Sequence, residues 1–364
     1  MNITATFLYD VEHGGPADQP QRIAMQLAEF IRSAQSSLHL AIYDFRLDPA
    51  KPAYGPIVTA LKERAAAGVA VQIAYDHGKA NAGEAGVDPA PIGTAAFLTR
   101  AFAGAGVECR SITDRNPQHP APRLMHDKYI IRDGEMPNAA IWTGSVNLTD
   151  DSLTFQDSNL IQIASSELAR YYETDFQELW TTGDIESSGA NDAGTVTIGS
   201  DKVQVAFSPG EGGLISTEVT GLLAGARRRI KIASMLLASR PILQMLARVQ
   251  QANQVAEFAG VYDATQMEQT LQNWQTVPHN QDLLPLFEQV SRGLARKHSD
   301  RYAPTSKHNF MHNKVVVVDD VVFTGSYNLS HSATENAENA LLIYNADLAE
   351  QYSQYIDRLI ARYR

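Results

Sequence analysis

MHNKVVVVDDVVFTGSYNLSHSATENAEN, residues Met311 to Asn339, is the stretch on which the fold turns. His312 and Lys314 are two apart, so on an extended segment both side chains leave from the same face. Val315 to Val318 is a short β-branched run that predicts a buried strand, Asp319-Asp320 supplies a turn, and Val321 to Thr324 predicts the returning strand. The return ends in Gly325-Ser326-Tyr327-Asn328, which brings Ser326 and Asn328 back beside His312 and Lys314. One imidazole, one ammonium, one amide and one hydroxyl then share a small volume.

The chain contains this pattern twice. Met125-His126-Asp127-Lys128, then Asp133, then Gly144-Ser145-Val146-Asn147 form the other copy, with Met before His and Asp five after Lys in both. A lone His-x-Lys usually means a surface His beside a solvated Lys; the compound pattern, once per half, does not. The likeness extends outward from the motifs. Residues 34–41, AQSSLHLA, align with 226–233, ARRRIKIA, and Tyr75-Asp76 aligns with Tyr262-Asp263. Asp76 lies 50 residues before His126 and Asp263 lies 49 before His312, which indicates one unit folded twice.

Each unit reads as βαβα. In the first, a strand from Ala5 to Tyr9 precedes a helix from about Gln19 to Ser36, then a strand from Leu38 to Phe45, a helix from Gly55 to Ala67 and a strand from Val69 to Tyr75. In the second, Val203 to Phe207, Ser216 to Ala226 and Ile230 to Ala233 repeat the order. That order implies a largely parallel sheet with helices on its faces. Helices around Ser166 to Leu179 and Leu348 to Tyr363 close the halves, and their aromatic residues are assigned to packing. Residues 183–200 are polar and without periodicity, which gives a linker between an N-terminal domain, 1–182, and a C-terminal domain, 201–364.

With 364 residues and 44% hydrophobic content the chain can build two packed domains. The start MNITATFLYDVEHGG has no basic, then apolar, signal pattern, and no run approaches the ~18 apolar residues of a membrane span. A soluble, cytoplasmic monomer with both motifs in one chain is expected. The single Cys109 excludes an internal disulfide and reads as a small core residue. The net charge of −11 argues against binding long nucleic acid through the whole surface. Segment 292–308 nevertheless carries Arg292, Arg296, Lys297, Arg301 and Lys307 with His298 and His308, either a phosphate-attracting patch or a solvated face.

With its doubled His-x-Lys-x4-Asp and Gly-Ser-x-Asn motifs, the sequence resembles the phospholipase D superfamily over nearly its whole length. The resemblance implies an α/β fold of two duplicated α/β/α sandwich halves, related by a pseudo-twofold axis and sharing one active site. The chemistry of the residues agrees. A phosphodiester repels nucleophiles and has a poor leaving group; a neutral His can attack phosphorus while a protonated His gives its proton to the departing oxygen. Lys128, Lys314, Asn147 and Asn328, with Ser145 and Ser326, would surround the phosphate oxygens. Asp133 and Asp319 sit at hairpin turns and, with Gly144 and Gly325, are expected to be structural. The resemblance also places an acid that holds a motif His at Glu338, where the first half has Ser158, with Asp157 one position earlier. Paired with Glu338, His312 would suit the acid, leaving His126 as nucleophile, in keeping with the family's use of the N-terminal His.

No His-Glu-x-x-His, cysteine pair or carboxylate cluster is spaced for a metal, so no metal and no cofactor is expected, and His13, His77, His119 and His279 read as surface residues. The partner is a phosphodiester, phospholipid first and nucleic acid second, with hydrolysis and headgroup transfer both open. A peripheral membrane contact would use an interfacial rim from Ile92, Phe97, Leu98 and Phe102, unless these form an ordinary amphipathic helix. A nuclease would use the basic segment with Tyr302 or Trp274. A catalytically inactive binding module is the remote third reading, disfavoured by two intact motifs.

Overall fold

The computed structural model describes residues 2–77, 93–116, 118–119, 123–303 and 306–364. Among the described residues the main sheet of the first half has seven strands, β1 (Ile3–Leu8), β2 (Ser37–Ile42), β3 (Ala70–Asp76), β4 (Val107–Ile112), β5 (Lys128–Arg132), β6 (Ala140–Gly144) and β7 (Ser158–Ala164), in the order β1-β7-β6-β5-β2-β3-β4. The second builds β8 (Gly194–Ile198), β9 (Asp201–Ser208), β10 (Arg229–Ser234), β11 (Glu257–Asp263), β12 (Ala295–Lys297), β13 (Lys314–Val318), β14 (Val321–Gly325) and β15 (Glu338–Tyr344), in the order β8-β9-β15-β14-β13-β10-β11-β12. Without β8 the two orders are the same.

The sheets are not largely parallel. Only β2-β3-β4 and β10-β11-β12 run parallel, and the remaining neighbours are antiparallel. The motif hairpins are the cause: two residues join β13 to β14, and so short a connection permits only an antiparallel return. Nor is 183–200 featureless, because β8 falls within it and pairs with β9 at the sheet edge.

Helices α1 (Gln19–Arg32), α2 (Tyr54–Ala66) and α3 (Thr94–Phe102) cover the outer face of the first sheet, and α4 (Ser166–Thr182) its inner face. On the second sheet α5 (Gly212–Ala224), α6 (Arg240–Gln251), α7 (Ala264–Thr276) and α8 (Leu283–Ser291) lie outside and α9 (Ala346–Tyr363) inside. The central strands show the logic. Val315 and Val317 of β13 enter the core between the sheets, while Val316 and Val318 enter the outer core, so a strand buried on both faces has no polar alternation. Tyr129 and Ile131 against Ile130 do the same in β5. The inner core is continuous across both halves, with α4 and α9 between the sheets.

The structure decides for the ordinary amphipathic helix at α3 and changes two other expectations. Phe97, Leu98 and Phe102 are buried, with the Phe97 ring tilted against Phe45 at 5.3 Å, so the apolar face of α3 packs on its own sheet rather than forming an interfacial rim; Ile92 lies outside the described residues. Trp274 is buried in the outer core of the second half and is no base contact. Cys109 is exposed, because it lies on β4 at the sheet edge.

Candidate active site

Each motif is tied down by both halves. Asp76, at the end of β3, accepts the main-chain N–H of Met125 at 2.7 Å, and Asp263, at the end of β11, accepts that of Met311 at 2.9 Å. The next N–H in each motif crosses over: His126 donates to the Ala337 carbonyl at 2.8 Å and His312 to the Asp157 carbonyl at 2.9 Å. Gly144 and Gly325 have φ of +138° and +141°, and a Cβ there would stand 2.3 Å from the carbonyl oxygen of Asn159 or Asn339. Glycine is therefore required for each hairpin to press against its neighbouring strand.

The histidine rings are held from across the molecular axis. Nδ1 of His126 lies 2.7 Å from Oε2 of Glu338, and Nδ1 of His312 lies 2.8 Å from the Ser145 carbonyl oxygen, which can only accept. Both pairings leave Nε2 as the nitrogen available for chemistry. Glu338 thus serves His126 and not His312, a correction that follows from the twofold arrangement: β15 lies beside the first motif. Asp157 orients neither ring. Its carboxylate takes Lys297 at 2.7 Å, the Tyr363 hydroxyl at 2.7 Å and the Asp10 N–H at 3.1 Å, because its side chain points away from the motif whose backbone it holds. Ser158, the counterpart of Glu338, is fully buried and its hydroxyl has no partner.

Lys128 and Lys314 are fully buried, each donating to the carbonyl of its own motif His at 2.6 Å. Burial lowers Lys128 to about 8 against the pull of Glu338, and burial and Lys128 push Lys314 well below its ordinary value. Burial, with the fields of Lys128 and Lys314, holds His126 well below the usual histidine range; burial, Lys314, Lys128 and His126 do so for His312. Glu338 is pushed up to about 8 by burial, opposed by Lys128. Glu338 and His126 therefore share protons rather than standing as a fixed imidazolium beside a carboxylate.

Both rings open into one pocket of about 140 Å³, with Asn147, Asn328, Tyr43, Asp44, Arg46, Gln156, Met235, Tyr302, His308 and Phe310 in its wall. Among the described residues, Oδ1 of Asn147 and of Asn328 is buried without a partner. Ser145 and Ser326 do not reach this space. Both are fully buried, and their hydroxyls accept the N–H of Asn159 at 3.1 Å and of Asn339 at 3.0 Å, so they fix the strand crossing rather than meet a phosphate. Asp133 accepts the N–H groups of Gln35, Ser36 and Ser37, and Asp319 those of Arg227, Arg228 and Arg229. Both close the loop that feeds the central parallel strand, far from the histidines in the chain's layout.

Sequence reasoning missed Tyr43, Asp44 and Arg46. Nε of Arg46 donates to both oxygens of Asp44, at 2.9 and 3.1 Å, and Thr94 steadies Asp44 at 3.0 Å. A signal was present: under the alignment of 34–41 with 226–233 these three fall opposite Met235, Leu236 and Ala238, a polar wall where the other copy is apolar. The basic segment also differs from expectation. Lys297 is buried between Asp10, at 2.9 Å, and Asp157, while Arg292, Arg301 and Lys307 pair with Glu288, Glu268 and Glu12. What the segment does contribute is an aromatic ladder, Tyr302 over His308 at 5.1 Å and His308 over Phe310 at 5.2 Å.

The family described as "Cardiolipin synthase, PLD-like domain" matches residues 27–180 and 219–360, one copy per half. No curated protein matches the sequence. Among solved structures, phosphatidylserine synthase of Haemophilus influenzae Rd KW20 is similar at 14% identity over 98% of this chain and 86% of that one, with a TM-score of 0.66. Polyphosphate kinase of Porphyromonas gingivalis is similar at 14% identity, covering 98% of this chain and 50% of that one, with a TM-score of 0.58. The phospholipase D family member Nuc of Salmonella typhimurium shares 24% identity over 45% of this chain and 97% of its own, at a TM-score of 0.34. At 14% identity the likeness to the first two is one of fold.

Proposed function

The chain belongs to the phospholipase D superfamily, and on that premise we propose that it is a metal-independent phosphodiesterase acting through a phosphohistidine on His126. The observation that carries this is the reciprocal hold on two histidines that open into one pocket, each with a buried lysine bonded to its own main-chain carbonyl. With the shared proton on Nδ1, facing Glu338, Nε2 of His126 presents a lone pair to phosphorus. The N–P bond forms as the P–O bond to the leaving group breaks, and the leaving oxygen takes a proton from Nε2 of His312. Burial, with the fields of Lys314 and Lys128, holds His312 below its ordinary range; a bound phosphodiester is an anion, raises it again and restores the proton it has to give. In the second half of the cycle His312 draws a proton from water or an alcohol, whose oxygen displaces His126. Lys128, Lys314, Asn147 and Asn328 bear the charge of the pentacoordinate state.

The substrate class proposed is the phospholipid headgroup. A pocket of about 140 Å³ suits a phosphate with a small substituent, and the similar protein of known structure named above is a phosphatidylserine synthase. The nuclease reading draws on one specific observation, the Tyr302–His308–Phe310 ladder beside the pocket, which offers bases a stacking surface. Against it stand the net charge of −11 and the pairing of most of the basic segment with carboxylates, which leaves the ladder without a track of phosphate contacts. Among the described residues no helix is long and apolar enough to cross a membrane.

The test exposes purified protein in excess EDTA to phosphatidylcholine vesicles, single-stranded DNA and a chromogenic phosphodiester. Headgroup release with the diester also cleaved is expected. Cleavage of DNA alone would move the assignment to a nuclease, and loss of all turnover in chelator, restored by Mg²⁺ or Zn²⁺, would overturn the metal-independent chemistry.

A further inference from the structure

Asp175 and Glu178 lie three apart on α4 and so share a helix face, onto which the connection between the halves brings Asp192. One carboxylate oxygen from each lies within 4.8 Å of the others. Sequence spacing alone conceals this cluster, since Asp192 is 14 residues beyond Glu178. Asp175 and Asp192 are fully buried, and among the described residues neither oxygen of Asp192 has a hydrogen-bond partner other than its own backbone N–H. The charged groups that act most strongly on Asp192 are Asp175, Glu178 and Glu211, all acidic. A buried carboxylate with no donor from another residue and no counter-charge is unfavourable, so the site calls for a positive charge.

We propose that Asp175, Glu178 and Asp192 bind one hard divalent cation of the calcium class at the junction of the two halves. Three carboxylate oxygens at this spacing can meet a shared ion at about 2.3–2.6 Å, the Ca²⁺ distance. With no imidazole or thiolate in the set, a soft or borderline metal has no preferred ligand. The other contacts position the ligands: the Tyr129 hydroxyl donates to Asp175 at 2.6 Å, Ser188 Oγ lies 2.5 Å from Asp175 and 2.9 Å from the Ser208 carbonyl, and the Ala190 N–H donates to Glu178 at 3.4 Å. Glu178 is part-exposed and lines an open surface groove with Ser187 and Ala190, which gives a hydrated ion its route. The ion ties the last helix of the first half to the segment that enters β8, and it takes no part in the phosphodiester chemistry.

The competing relief is a proton. Ser188 has one hydroxyl hydrogen and two close acceptors, which a carboxylic-acid proton on Asp175 would also satisfy. The experiment separates the two on the full chain, stripped with EDTA and dialysed. Tb³⁺ is added with tyrosine excitation, since the Tyr129 ring touches the site, and Ca²⁺ is then used as competitor; thermal melts are run in Ca²⁺ and in EDTA. Saturable sensitised emission displaced by Ca²⁺, with a Tm higher by at least about 3 °C in Ca²⁺, is expected. Asp192→Asn should remove both effects, and Glu178→Gln, at the exposed edge, should weaken Tb³⁺ about 10-fold or more even if Asp192→Asn does not fold. No emission and no Ca²⁺-dependent shift in the wild type at millimolar ion, or both effects retained in the folded variants, overturns the proposal in favour of the protonated acids.

Discussion

The two motifs superimpose in layout but not in charge. His126 is held by a carboxylate reaching over from the second half, His312 by a neutral carbonyl reaching over from the first. The residue between His and Lys is Asp127 in one and Asn313 in the other, and each is gripped by the asparagine of the opposite half: Asn339 Nδ2 donates to Asp127 at 2.9 Å, and Asn159 Nδ2 to Asn313 at 3.0 Å. Behind the motifs, Lys297 sits between Asp10 and Asp157 on one side, whereas carboxylates alone gather on the other. Duplication preserved the backbone crossings, which both copies need in order to close, and released the charges, which only the reaction constrains. The asymmetry is where two equivalent rings acquire different duties.

The sharpest way to break this comparison is to remove each ring in turn. His126→Ala should lower kcat by about 10⁴-fold or more on every phosphodiester, since no covalent intermediate can form. His312→Ala should cost as much with alkyl leaving groups, but with nitrophenolate, which departs without a proton, the first-turnover burst should fall only about 10-fold while steady-state turnover stalls at the phosphohistidine, because His312 also activates the water. Acid-quenched enzyme should carry phosphate on His126, and label on His312 would reverse the duties. Next in size, Lys297→Met strands Asp10 and Asp157 as buried charges without a cation and should cost about 3–5 kcal/mol of stability in denaturant melts; a loss below 1 kcal/mol would show that the triad is not held together by its charge.

Glu338→Gln should lower kcat by about 10²–10³-fold with little change in Tm, as the partner of the nucleophile loses its charge but not its shape. Equal effects on both leaving-group classes are expected; a selective loss on alkyl substrates would return Glu338 to the acid. The pH profile gives a smaller effect. Lys128 loses its proton as pH rises through about 8, so phosphate attraction, present below that value, fades above it, and kcat/KM should fall on the alkaline side. Lys128→Arg, charged throughout, should flatten that limb in whatever activity it retains. Ser158→Ala, at the position opposite Glu338, should be near neutral for turnover, because the buried hydroxyl has no partner to lose.

Much of this was legible because periodicity and repetition are local. The hairpin at Val315 to Thr324, the paired motifs and the equal offsets of Asp76 and Asp263 could be read from spacing, and the structure gives Asp76 and Asp263 the task of holding the motif backbones. What escaped was whatever depends on which half faces which. Glu338 follows the second motif in the chain yet lies against the first, and spacing carries no sign of a crossing. The same holds for Asp157, which is near its motif in sequence and turned from both rings in space. Sheet direction was misjudged for a related reason: βαβα units fix only three strands, and the four that carry or flank the motifs follow hairpin rules.

The hydrogen bonds from His126 N–H to Ala337 and from His312 N–H to Asp157 have a bearing on how the protein is made. A ribosome that has passed the first sheet has produced a folded layer with its own hydrophobic contacts and a histidine that nothing yet aims. The general acid, the carboxylate partner and the carbonyl at Ala337 all come from sequence translated much later. Until β15 is made, His126 has neither the Ala337 carbonyl for its N–H nor Glu338 for its ring, so the first motif is completed only by sequence from the end of the chain.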